Sequence, residues 1–206
     1  MRSSRTAGAM TWSVDPDGRV ATILISGGAP LHTMPPELLT ELDRILLLAA
    51  KAQVVILRAS DKTIRVKAEQ SFPRPSAADS WRQWAPLGHH VFDHIAHLPQ
   101  PTIAVVDGLA IGVGADLALA CDLRVATDNA SAGACEVGLG TIPGCSETQR
   151  LTQLIGRERA TQIRDSTPHL DAATALAWGL LTNVTSAVGL EHYLDQLVHS
   201  VLGPNP

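Results

Sequence analysis

The chain has 206 residues, enough for one domain with at most a small appendage. Apolar residues make up 45% and charged residues only 17%, which excludes a disordered or low-complexity chain. A net charge of −4 without a basic stripe disfavours strand-tracking nucleic-acid binding and attachment to an anionic membrane, and no apolar run approaches the ~18–20 residues of a span.

Residues 1–18 read as a leader, partly disordered, because Met1–Ala9 is rich in Arg and Ser and has no apolar stretch of the signal-peptide kind. From Arg19 to Ile25 the chain alternates and is β-branched, which predicts a strand closed by Gly27 and Gly28. Pro35 or Pro36 opens a helix to about Ala50, with Leu38, Leu42, Ile45, Leu46 and Ala49 on one face. Val54–Leu57 is a short continuous apolar run, as expected of a strand buried on both faces. A polar, Pro-bearing stretch from Ser60 to Ser80 follows, then a predicted helix from about Ala85 to Leu98. Thr102–Val106 is a second buried strand, ending at Asp107-Gly108; a helix from about Val113 to Cys121 precedes the strand Leu123–Ala126. Beyond Gly144 the pattern is helical, with a stop at Gly179 and an apolar run at Leu180-Leu181. Strands alternating with helices predict parallel crossovers and an α/β fold: a core over 19–167 and a short C-terminal helical segment over 168–206.

Three groups of residues carry candidate chemistry. His90, His94 and His97 share a helix face and could in principle hold a metal, but Val91, Ile95 and Leu98 lie opposite, so a solvated face is expected and no metal is assigned. Cys121, Cys135 and Cys145 lack metal-ligand spacing and read as reduced, intracellular thiols. The run Asp107-Gly-Leu-Ala-Ile-Gly112-Val-Gly114-Ala-Asp116 is a strand–turn–helix junction whose glycines permit close backbone approach and whose helix start offers unbonded N–H groups. It has neither the lysine of a phosphate-binding loop nor the spacing of a dinucleotide fingerprint. Glu136 stands among small and apolar residues in Ala134–Gly140, where a carboxylate needs either a partner or an acid/base role.

The stretch Pro101–Ala160, PTIAVVDGLAIGVGADLALACDLRVATDNASAGACEVGLGTIPGCSETQRLTQLIGRERA, resembles the enoyl-CoA hydratase/isomerase (crotonase) superfamily. It follows the family's P-x-I-A-x-x-x-G strand and A-C-D-x-R, its G-G-G-x-E/D helix start with Val113 at the middle glycine, and its P-E-V-G-L-G segment with Cys135 at the proline, leading to T-Q-R-L. Weaker similarity runs from about Arg19 to Asn183. The resemblance implies a crotonase-like spiral of ββα units and an assembly as trimer or hexamer, or a hetero-oligomer with a fuller relative. It implies an oxyanion hole from the backbone N–H groups of Ala68 and Val113, and a carboxylate pair, Glu136 as acid/base and Asp116 with the water. Lys67, Gly112, Gly114 and Gly144 would border the substrate. That substrate would be an acyl-CoA or acyl-carrier thioester, with coenzyme A entering only as part of it and no separate cofactor, in a cytoplasmic protein.

Departures from the family pattern concern the same places. Lys67 and Ser71 replace the glycine and lysine of the family's A-G-A-D-L-K, Asp116 is a methylene shorter than Glu, and Ser146 and Glu147 replace two glycines. Set against the family's typical length, the chain reads as a short member expected to lack the usual C-terminal helices. The expected activity is hydration of an enoyl thioester; the alternatives are double-bond isomerisation, or an accessory role beside a biosynthetic enzyme of the polyketide type, such as that of dihydroxyphenylglycine biosynthesis.

Overall fold

The computed structural model describes residues 3–7, 10–25, 36–59, 77–110, 113–132, 147–166 and 169–203. In chain order these form β1 (Ser3–Ala7), β2 (Met10–Val14), β3 (Val20–Ile25), α1 (Pro36–Ala49), β4 (Val54–Ala59), α2 (Ala77–Ala96), β5 (Thr102–Val106) and β6 (Leu109–Ala110). They continue as α3 (Val113–Ala120), β7 (Leu123–Thr127), β8 (Ser131–Ala132), α4 (Glu147–Ser166), β9 (Leu170–Asp171), α5 (Ala172–Trp178), β10 (Asn183–Thr185) and α6 (Leu190–Leu202). Seven strands make one sheet in the order β1-β2-β3-β4-β5-β7-β10, and β6-β8-β9 make a second, small one.

From β3 through β10 the large sheet is parallel. Parallel sheets are stable when covered on both faces, and the strands show why this one is. In β4, Val55 and Leu57 point into the cluster built with α1 and α2, while Val54 and Ile56 point the other way. On that second face Leu190, Leu194 and Val198 of α6, one helical turn apart, close over Ile56, Ile103, Val105 and Val125. Because the strands run parallel, Ile25 lies beside Ala59 and Val106 beside Ala126, so the carboxyl ends of β3, β4, β5 and β7 form one edge.

Three expectations change. The segment expected as a leader supplies β1 and β2, which pair antiparallel at the sheet edge; Met10 is fully buried. The cue is the alternation Met10-Thr-Trp12-Ser-Val14, a period-two pattern as regular as that of β3. Asp15 closes the β2–β3 hairpin by accepting from the N–H groups of Arg19 and Val20 at 2.7 and 2.8 Å, with Gly18 at φ +74°. Helix α2 starts at Ala77, not near Ala85, and carries Pro86 inside it; a proline removes one intrahelical bond but does not always end a helix. The C-terminal segment also adds strands, since β9 pairs with β8 and β10 with β7, so it belongs to the same core.

Helix α6 should therefore be indispensable to the second face. Leu194→Ala should lower stability by about 2–5 kcal/mol in chemical denaturation, the usual range for a buried leucine. An unchanged midpoint would show that α6 does not cover the sheet.

Candidate active site

Strand β5 ends at Val106 on the carboxyl edge, turns through Asp107 and Gly108, and leads through β6 towards α3. Open parallel sheets bind ligands at that edge, where the chain leaves successive strands. Gly108 has φ +139°, a conformation that favours glycine, and its carbonyl accepts from the Ser131 N–H at 2.9 Å. Asp107 Oδ1 accepts from the Thr127 hydroxyl at 3.0 Å, tying the end of β5 to the end of β7.

Helix α3 begins at Val113, whose N–H lies in the first turn and so falls outside the helix's own bonding ladder. Gly114 and Asp116 are buried, Asp116 with only 3% of its surface exposed. Its carboxylate sits in the turn where the helix dipole favours negative charge. The helix packs with one side on β5 and lies between α2 and α4. Small side chains, Ala115 and Ala118, leave an apolar pocket between α3 and α4, bounded by Leu151 and Ile163 opposite.

The far end of α3 is held by polar contacts. Asp122 Oδ2 accepts from the N–H and the hydroxyl of Thr102 at 2.8 Å each, and the same hydroxyl accepts from the Asp122 N–H at 2.9 Å. Arg124, 5% exposed, donates from Nε to the Leu180 carbonyl at 2.6 Å and from Nη1 to the Cys121 carbonyl at 2.5 Å. Burial lowers its pKa, with Cys121 and Asp122 acting in the opposite sense. The cue in the sequence is a charged residue inside the apolar run Leu123-Arg-Val-Ala126, a signal as unusual as that around Glu136.

Of the residues expected at the site, Val113, Gly114 and Asp116 come together on α3. Lys67, Ala68, Gly112, Glu136 and Gly144 lie outside the described residues. In the chain, Lys67 and Ala68 fall between β4 and α2, and Glu136 and Gly144 between β8 and α4.

The histidine face is less solvated than expected. His90 and His97 are exposed, but His94 Nδ1 lies 2.7 Å from Asp43 Oδ1 on α1, so this face docks one helix on another. Asp93 beside them pairs with Arg150 of α4 at 2.6 Å. Among the described residues no group of three or more His, Cys, Asp or Glu could hold a metal ion, and no helix is long and apolar enough to cross a membrane.

Comparison with known proteins places this geometry. The enoyl-CoA hydratase/isomerase family matches residues 18–205. The chain belongs to that family. It is similar to the short-chain-enoyl-CoA hydratase of Clostridium acetobutylicum, with 30% identity over 94% of this chain and 76% of the relative. It is also similar to the crotonyl-CoA hydratase of Syntrophomonas wolfei, with 34% identity over 76% of this chain and 65% of the relative. An enoyl-CoA hydratase/carnithine racemase from Magnetospirillum magneticum shares the fold at a TM-score of 0.86 and 18% identity, over 98% of this chain and 77% of that structure. The crotonase-like α/β architecture expected from the sequence is thus the observed one, and the protein is an enzyme of the hydratase or lyase type.

Within this enoyl-CoA hydratase/isomerase family member, Cys121 has a structural place. It closes α3, its Sγ donating to the Leu117 carbonyl at 3.4 Å. Burial pushes its thiol from 9.0 up to about 12. A raised thiol pKa means the folded chain holds its proton more tightly than the unfolded chain, so this contribution is complete below pH 9 and is lost as pH rises towards 12. Peptide mapping should find Cys121 unlabelled by iodoacetamide in the native protein at pH 8.5 and labelled in denaturant. Native labelling, or an alkaline loss of stability between pH 9 and 12 that Cys121→Ala leaves unchanged, would contradict its burial as a neutral thiol.

Proposed function

We propose that this enzyme adds water to, or removes it from, the α,β double bond of an acyl-CoA thioester by way of an enolate. The observation that carries the reading is a buried carboxylate, Asp116, in the first turn of the helix that follows the carboxyl end of β5, the same turn that carries the Val113 N–H. The hydratase names of the relatives support it.

The chemistry follows from charge placement. In hydration, the water oxygen bonds to Cβ and loses a proton to the Glu136 carboxylate, and the π electrons move onto the thioester oxygen. The N–H groups of Val113 and Ala68 hold that oxygen while it is negative, and a helix start supplies partial positive charge without reorganising. Glu136 then delivers a proton to Cα, and Asp116 orients the water. Elimination runs the same steps in reverse.

The test is a comparison of Glu136→Gln and Asp116→Asn with the wild-type enzyme on crotonyl-CoA, followed in water labelled with ¹⁸O. Both replacements keep hydrogen bonding but can neither take up nor release a proton at neutral pH. Each should lower turnover by about 10²–10⁴-fold, the usual worth of a general acid or base, with little change in melting temperature. Near-wild-type turnover in Glu136→Gln would remove its role. Double-bond migration without ¹⁸O uptake, retained in Asp116→Asn, would establish isomerisation instead.

A further inference from the structure

We propose that Arg124 is a positioning residue, a clamp that fixes where α3 presents its amide end to the thioester; the inference rests on the role given to Val113 above. Arg124 extends from β7 and bonds two main-chain carbonyls: Cys121, just past the end of α3, and Leu180, just past the left-handed Gly179 that ends α5. Among the described residues no carboxylate forms an ion pair with it. A buried charge is costly, and an apolar side chain of similar length would fill the space at less cost. What the guanidinium supplies is two donors in a rigid fork, which sets the distance between two segments and places a cation at a helix C-terminus.

Packing alone leaves α3 some freedom along its axis. Half of its eight residues are Ala or Gly, with side chains too small to interlock, and the apolar pocket on its α4 side leaves room for a shift. At eight residues it is a rod about 12 Å long, so a displacement at Cys121 reaches Val113 undiminished. Strand β7 therefore governs both ends of the approach to the site: Thr127 bonds Asp107 ahead of α3, and Arg124 bonds Cys121 behind it. A misplacement of about 1 Å costs on the order of 10²-fold in rate.

The experiment compares wild type with Arg124→Lys, which keeps the charge but cannot span both carbonyls, and with Arg124→Gln, which keeps one amide donor. The probe is 2,4-hexadienoyl-CoA, a conjugated thioester whose ultraviolet band moves to longer wavelength as its carbonyl is polarised. Binding affinity, the size of that shift, and kcat and KM on crotonyl-CoA are measured, with circular dichroism reporting the fold. Wild type should shift the band. A folded variant should bind within about threefold of wild-type affinity, show at most half the shift, and lose about 10–100-fold in kcat with KM nearly unchanged. A folded variant with the full shift and wild-type kcat overturns the positioning role alone. Wild-type binding without any shift overturns the reading of Val113, and the clamp with it. If neither variant folds, Arg124 is a determinant of the fold only and the proposal is overturned.

Discussion

A parallel sheet with both faces buried constrains everything else in this chain. Each of β3, β4, β5 and β7 must be followed by a crossover that returns over a face, so every departure takes place at the same edge. That edge collects chain segments far apart in sequence, and it does so before any residue there has a chemical role. The cover on the second face comes from α6, whose Leu190, Leu194 and Val198 seal Ile103, Val105 and Val125. The site on one edge thus depends on a helix that begins more than 70 residues after Asp116.

Polar groups then refine what apolar burial leaves loose. The turn after β5 and the far end of α3 are tied by side chains of β7 and of the turn before it, through Asp107–Thr127, Thr102–Asp122 and the Arg124 carbonyl bonds. These are small in number, yet each is partly or fully buried, where a hydrogen bond is stronger and an unmade one more costly. The helix docking pair His94–Asp43 and the bridge Arg150–Asp93 do for α1, α2 and α4 what the clamp does for α3.

The fold was largely legible because its signals are local and apolar. Thr102–Val106 and Pro36–Ala49 could be read from runs and periodicity, and the motifs around Gly112–Asp116 identified the family. Met10–Val14 was equally patterned, but its position in a segment with an Arg- and Ser-rich start masked it. The partners of the histidines were not legible: helical spacing shows which residues share a face, not which helix faces them, and Asp43 lies 51 residues from His94. Arg124 could have been singled out as a charge in an apolar strand, but its two carbonyl partners are main-chain atoms, which no side-chain pattern reveals. The site residues on α3 were readable from the resemblance, and the burial of Asp116 could be learned only from the packing around it.

The central claim is that α3 stabilises a negative thioester oxygen, and formation of the enolate can be seen without any hydration. Butyryl-CoA has no double bond to hydrate, but an enzyme that stabilises its enolate exchanges the protons on its α carbon with solvent. Incubation in D₂O followed by proton NMR reads that exchange directly. The account expects loss of the α-proton signal with wild-type enzyme, at a rate reduced by at least about tenfold in Glu136→Gln. An α-proton signal that persists in the presence of an enzyme proven to bind butyryl-CoA would contradict it.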